Sequence, residues 1–382
     1  MKVVFVSNYF NHHQKPFCEE MYKRLGDDFS FISTSTMREE RKKLGYLEES
    51  NSPYVHLEYK GQAEHQKALD LINNADVVIA GSTPNDLIKD RIKANKLILR
   101  YSERPFRKKM NALKRFYYWM NFNNNNMWKN NIYMLCAGAY VSSDYKMIGL
   151  YDNHAYKWGY FPDMKKYDID LLLAKKNQNT IMWCGRFIKL KNPNDVIMLA
   201  KLLRDEGYDF QLKFVGTGIM EDELKELVKK YDLSRHVHFL GTMTTEQVRS
   251  HMETAGIYLF TSNKEEGWGA VLNEAMNSGC AVVASHAIGS VPYLVRNGKN
   301  GIIYESNNLN ELFENVKFLL DNSKEQVRLG KAAYKTITTE WNPKIATDRL
   351  ISLLEMLLSG IEHPDLYEDG PCSKAEIVYD DW

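Results

Sequence analysis

Glu265-Glu266-Gly267-Trp268-Gly269-Ala270-Val271-Leu272-Asn273-Glu274-Ala275-Met276-Asn277-Ser278-Gly279 follows closely on the apolar run Ile257–Phe260. A short apolar run, a turn bracketed by glycines and a helical pattern from about Gly269 or Ala270 predict a buried strand that turns straight into a helix. Such a turn leaves backbone N–H groups free at the positive end of the helix, an arrangement suited to phosphate. Glu266 falls in the loop, and Glu274 lies eight positions on, about one turn into the helix. Two carboxylates so placed can accept hydrogen bonds from hydroxyls on either side of a phosphate, which is the layout of a sugar nucleotide. The same spacing also fits a capping acid followed by a solvated helix glutamate.

Outward from this stretch the chain keeps one rhythm. Short apolar runs at Val3–Val6, Phe29–Ile32, Val77–Ala80, Leu97–Leu99 and Ala139–Val141 form a first series of expected strands. Thr180–Trp183, Leu212–Val215, Val237–Phe239, Ile257–Phe260, Ala281–Val283 and Ile302–Tyr304 form a second. Runs without alternation fit strands buried on both faces, and the longer amphipathic stretches between them read as helices, so each series predicts a doubly wound parallel sheet. The series part near 162–179, at Pro162 and a charged, polar run. The expected division is an N-terminal Rossmann-like domain over 1–163, a linker over 164–178 and a second Rossmann-like domain over 179–342. A last helix over 343–360 can cross back to the first domain, and an acidic tail covers 361–382, loosely held although Leu366, Tyr367, Ile377, Val378, Tyr379 and Trp382 could dock.

Composition narrows the function classes. The chain of 382 residues is 44% hydrophobic and 26% charged, which excludes a disordered, collagen-like or rod-like protein. No apolar run reaches the roughly 18–20 residues of a membrane-spanning helix. Five scattered cysteines without a Cys-x-x-Cys pair argue against a disulfide framework or structural zinc and favour a reducing cytosol. The net charge of +1 argues against a general nucleic-acid binder. Residues 1–170 nevertheless carry 26 Lys/Arg against 20 Asp/Glu, whereas the tail 361–382 carries one Lys and seven acids.

Two further motifs leave expected strand ends. In Gly185-Arg186-Phe187-Ile188-Lys189-Leu190-Lys191, Arg186 and Lys191 can converge on one anion across a turn, although each alone is more commonly a surface cation. Val215-Gly216-Thr217-Gly218 lacks the third glycine of a dinucleotide fingerprint, Glu221 standing there instead. It fits either a tight turn or the close approach of a nucleotide. Together with Phe239-Leu240-Gly241, the Glu266-x7-Glu274 pair, Gly289-Ser290-Val291-Pro292 and Asn297-Gly298-Lys299-Asn300-Gly301, these motifs resemble the donor half of a GT-B-fold retaining glycosyltransferase of family 4, over residues 179–345. The resemblance implies two Rossmann-like domains facing across a cleft, and transfer of a sugar from a nucleotide-sugar, a UDP-sugar favoured, without a metal or other cofactor. It implies that Arg186 and Lys191 hold the donor diphosphate, that Glu266 binds donor sugar hydroxyls and that Glu274 binds the ribose. Gly216, Gly267, Gly269, Ala270, Val271 and Leu272 would approach the nucleotide through their backbone, and Met243 would touch the base.

In the N-terminal half, Asn8-Tyr9-Phe10-Asn11-His12-His13-Gln14, Arg100-Tyr101-Ser102-Glu103-Arg104-Pro105 and Tyr156-Lys157-Trp158-Gly159-Tyr160-Phe161-Pro162 resemble bacterial capsule and exopolysaccharide glycosyltransferases. Many relatives carry a histidine where Tyr101-Ser102-Glu103 stands, so Glu103 and His13 are the candidates to assist the acceptor. Arg104 to Arg115 holds six Lys/Arg and no acid, and Phe116-Tyr117-Tyr118-Trp119-Met120 follows. A basic stretch with aromatics over 104–120 reads as a surface for anionic lipid, or as a solvated basic face over a buried aromatic stripe. Asp168-Ile169-Asp170 and His236-Val237-His238 mimic metal motifs but sit in the linker and on a strand without a third ligand. The expected protein is therefore a cytoplasmic enzyme, peripheral on the inner face of the plasma membrane. It would extend a lipid-linked or oligosaccharide acceptor in capsular or exopolysaccharide synthesis. A sugar-nucleotide epimerase on the same fold and a non-catalytic nucleotide-sugar-binding partner are the alternatives.

Overall fold

The computed structural model describes residues 1–37, 51–107, 111–124 and 131–378. The expected Lys108 and Lys109 of the basic stretch lie outside the described residues, as does the tail from 379 on. The described chain forms two compact units: Met1–Asp163 together with residues 341–378, and Met164–Glu340.

The first unit contains β1 (Val3–Ser7), β2 (Phe29–Ser33), β3 (Val55–Leu57), β4 (Val77–Ala80), β5 (Ile98–Ser102), β6 (Ile132–Ala137) and β7 (Ala155–Trp158). They pair in parallel in the order β3-β2-β1-β4-β5-β6-β7. The second contains β8 (Asn177–Cys184), β9 (Gln211–Val215), β10 (Val237–Phe239), β11 (Ala255–Phe260), β12 (Ala281–Ser285) and β13 (Ile302–Tyr304), in the parallel order β10-β9-β8-β11-β12-β13. Both are doubly wound Rossmann-like sheets, the fold class expected from the strand pattern. Every residue of β1, β2, β4, β6, β11 and β12 is buried, as strands covered by helices on both faces require.

Three local expectations change. Ala139–Val141 is not a strand: Gly138, at φ 125°, turns the chain after β6, and the helix Val141–Lys146 begins there. β3, β6 and β7 were not expected: His56 and Lys157 interrupt the short runs of β3 and β7, whereas β6 is a fully buried apolar run whose expected place was Ala139–Val141, just after it. The linker over 164–178 is built into the second unit. Asp168 caps the helix Ile169–Ala174 through Leu171 N, and Lys176 is buried with its ammonium on the carbonyls of Met252 and Ala255, at 2.8 Å each.

The helix Pro343–Leu358 packs on Lys15–Leu25, with Arg24 Nη2 on Asp348 Oδ1 at 2.6 Å. Beyond it the tail is docked rather than loose. Lys157 N donates to Ser373 O at 2.8 Å, Cys372 N to Lys157 O at 2.8 Å and Ala375 N to Ala155 O at 3.0 Å, so residues 372–375 run antiparallel along β7. Cys372 is buried, and the hydroxyls of Tyr133 and Tyr156 bond the carbonyls of Glu362 and Pro364. The pairing covers a sheet edge that would otherwise be free to template aggregation.

Candidate functional site

In an open α/β sheet, ligands bind beyond the carboxyl ends of the strands where the winding reverses. In the second unit that point lies between β8 and β11, which are neighbours in the sheet although three strands apart in the chain. The loop leaving β8 carries Arg186 and Lys191, and the loop leaving β11 carries Glu266. The topology therefore brings together what the sequence separates by 75 positions: Lys191 Nζ is ion-paired to Glu266 Oε2, both side chains being largely buried.

The pair is held from both sides. Ser262 Oγ donates to the same Glu266 oxygen at 3.0 Å, and Glu266 N donates to Asn263 O at 3.0 Å. Asn263 N donates to Leu190 O at 2.9 Å, Thr261 Oγ1 to Lys191 O at 2.8 Å, and Trp183 Nε1 to Thr261 Oγ1 at 2.9 Å. Lys191 Nζ lies 5.8 Å from the centre of the Phe260 ring. Arg186 is exposed, and among the described residues no hydrogen bond or ion pair holds its side chain. Lys191 is turned to Glu266.

The glycines have defined tasks. A Cβ on Gly216, at φ +128°, would lie 2.0 Å from Gly185 O, and one on Gly218 would lie 2.5 Å from Phe187 O. The loops after β8 and β9 thus touch backbone to backbone, and Gly216 N donates to Gly241 O at 2.8 Å, tying in the loop that carries half-buried Met243. Gly269, at φ +76°, lies against the Phe260 ring, 2.2 Å from where its Cβ would stand. The helix itself spans Val271–Asn277, with Ala270 at its N-cap and no side chain capping it. Trp268, fully buried, donates from Nε1 to Asn273 Oδ1 at 2.9 Å and locks the turn onto the helix.

Glu274 still has a solvent-facing part, but protein encloses it densely. Burial raises its carboxyl above the ordinary 4.5, against a lowering by Arg249. Among the described residues its carboxylate accepts no hydrogen bond. Burial also pushes the neighbouring Cys184 thiol up to about 12, so that thiol is protonated at neutral pH. Ser262, Trp268 and Asn273 support the site but were not singled out from the sequence. Only Trp268, a large aromatic between two glycines, carried a visible signal.

The acceptor-side candidates lie in the first unit. Glu103, after β5, takes a hydrogen bond from Tyr160 OH on Oε1 at 2.6 Å and from Arg107 Nη2 on Oε2 at 2.7 Å. His13, after β1, stacks on the Tyr160 ring with centroids 6.0 Å and planes 15° apart. Arg104 is spent on buried Asp144, with Nε 3.3 Å from each carboxylate oxygen. The helix Ala112–Asn124 has a different character: Leu113 is 79% exposed, Phe116 57%, Tyr117 63% and Trp119 45%, beside exposed Lys114 and Arg115. Its aromatics are thus largely outside, not a buried stripe.

The metal-like motifs are otherwise engaged. Asp170 pairs with Lys331 at 2.7 Å, His236 stacks on Phe210 at 4.6 Å, and His238 Nε2 meets Gln211 Oε1 at 2.5 Å. No described helix is long and apolar enough to cross a membrane.

Residues 166–336 match the family model of glycosyl transferases group 1. An uncharacterized glycosyltransferase of Haemophilus influenzae is 32% identical over 150 residues, 39% of this chain and 42% of that protein. The amylovoran biosynthesis glycosyltransferase AmsK of Erwinia amylovora is 26% identical over 198 residues, 50% of this chain and 48% of that protein. The chain thus spans about half the length of the curated relatives it matches. The crystal structure of Anabaena Alr3699/HepE in complex with UDP superposes with a TM-score of 0.67 at 15% identity, over 94% of this chain and 100% of that one. That likeness is one of fold.

Proposed function

We propose that the protein is a retaining glycosyltransferase that takes its sugar from a nucleotide-sugar, a UDP-sugar favoured, and needs no metal. The observation that carries this reading is the Lys191–Glu266 pair at the winding reversal of the second sheet, with exposed Arg186 in the same loop as Lys191 and, in the helix after Glu266, a Glu274 carboxylate that accepts no hydrogen bond among the described residues. A donor entering here exchanges partners: its diphosphate draws Lys191 and Arg186, and its sugar hydroxyls take the place of Lys191 on Glu266. The ribose hydroxyls satisfy Glu274, whose desolvated carboxylate gains from each hydrogen bond. Met243 stands where a base would lie. As the sugar–phosphate bond breaks, charge grows on the diphosphate, so cations fixed there stabilise the transition state more than the ground state. The match of residues 166–336 to group 1 glycosyl transferases and the UDP held by the Anabaena neighbour support the reading.

The test is release of nucleoside diphosphate from a panel of UDP-, GDP- and ADP-sugars in the presence of bacterial membrane extract, with the anomer of the product read by NMR. Arg186→Ala is expected to lower the rate more than tenfold, the worth of one charge-assisted hydrogen bond of about 1.5–3 kcal/mol. A near-native rate in that variant removes Arg186 from the chemistry. Donor binding without turnover in the wild type would favour the non-catalytic reading.

The acceptor side is proposed to be a lipid-linked saccharide of a cell-surface or exopolysaccharide pathway, met at the inner face of the membrane. Support comes from the exposed Leu113, Phe116, Tyr117 and Trp119 beside Lys114 and Arg115, a mixture that gains from both acyl chains and anionic headgroups. Co-sedimentation with phosphatidylglycerol vesicles should fall several-fold in a Phe116→Ser, Trp119→Ser double variant. Unchanged sedimentation would exclude this helix as the contact.

A further inference from the structure

In the first unit, three strand ends meet on one side chain. His13 comes from the loop after β1, Glu103 from the end of β5 and Tyr160 from the end of β7. β5 and β7 stand two places apart in the sheet, about 10 Å at the usual strand spacing, so no direct neighbour contact can join their ends. Tyr160 spans that gap with its hydroxyl, 2.6 Å from Glu103 Oε1, while its face receives the His13 ring. Tyr101 stands edge-on to Tyr160, with centroids 6.2 Å and planes 76° apart, and fixes the ring from the remaining side. Trp158 and Phe161 complete a small aromatic recess around these groups. Arg107 occupies the other Glu103 oxygen at 2.7 Å, so each oxygen has one donor and keeps a lone-pair site open.

We infer that Tyr160 is a positioning residue, which holds Glu103 and His13 in fixed relation so that both can meet one acceptor hydroxyl. The inference rests on the glycosyltransferase reading above. Its content is that the two groups the sequence offered as rivals act as one assembly, joined by a third residue. The hydrogen bond from Tyr160 fixes the orientation of the Glu103 carboxylate that would accept from a sugar hydroxyl. The stacked ring sets the orientation of the His13 imidazole. The charged and titratable groups facing the assembly are Arg107 and Tyr101 around Glu103 and Tyr160, with His12 against His13, ring centroids 3.9 Å apart.

The experiment compares wild type, Tyr160→Phe and Tyr160→Ala by nucleotide release and product formation. Tyr160→Phe keeps the ring and the packing. It is expected to lower kcat about tenfold at unchanged donor KM, because Glu103 loses the donor that holds it in place. Tyr160→Ala, which also removes the stack on His13, is expected to lose more. A Tyr160→Phe enzyme with wild-type kcat overturns the inference and leaves the glycosyltransferase reading standing. A wild type that releases no nucleoside diphosphate from any donor overturns both.

Discussion

Glu274 shows how one side chain can be costly alone and useful with a ligand. Its carboxyl ionises near 4.5 in the unfolded chain and at higher pH in the folded one, because burial disfavours the charge. Between those values the folded state binds more protons, so stability falls as pH rises through that window and stays reduced above it. Glu274→Gln should therefore raise the melting temperature of the ligand-free protein at pH 7, and the gain should vanish below about pH 4.5 in thermal melts. The same variant should lose stabilisation by the donor nucleotide, which reaches about 2.7 kcal/mol at a hundredfold excess over Kd in the wild type. A residue that weakens the empty fold and strengthens the filled one is expected at a binding site. The 265–279 stretch displayed this carboxylate, but not the Lys191–Glu266 pair. Ion pairs between distant loops depend on strand order, and no local pattern encodes that order.

At the scale of the element, the glycine-rich turns show what a sequence can and cannot announce. Gly216, Gly218 and Gly269 were visible as turn residues. Their reason for being glycine was not, because the obstructing atoms belong to the loop after β8 and to the Phe260 ring. Gly216→Ala combines a positive φ with an overlap on Gly185 O. It should cost roughly 2–4 kcal/mol, through strain at the site and displacement of the Arg186 loop. Urea denaturation would measure the loss, and donor affinity should fall with it. Most strands of both sheets were legible as unbroken apolar runs, although β6 was missed in favour of Ala139–Val141 just after it. The edges β3 and β7 were also missed, since His56 in one and Lys157 in the other interrupt the short runs.

Across the whole molecule, the acidic end of the chain was the least legible part. Charge alone read as a loosely held tail, yet its backbone pairs with β7 and its Asp369 adds an ion pair to Lys157 of that strand at 2.8 Å. Removing the chain from 361 on deletes three backbone hydrogen bonds to that strand, worth about 1 kcal/mol each. It also uncovers an edge. A truncated protein is expected to melt about 6–12 °C lower and to form soluble aggregates on gel filtration. A truncation that melts and elutes as the full chain does would show that the docked segment adds nothing.

The return of the chain to its first unit also bears on how the protein is made. Synthesis runs from one end, at about 5–20 residues per second. When residue 340 emerges, every strand and helix of the second unit exists, whereas the first unit, begun earlier, still lacks the helix that packs on Lys15–Leu25 and the segment that closes β7. The unit encoded first is thus completed last. For several seconds on the ribosome its apolar helix face and open sheet edge stand uncovered, and there trigger-factor-like chaperones would find their footing on the nascent chain.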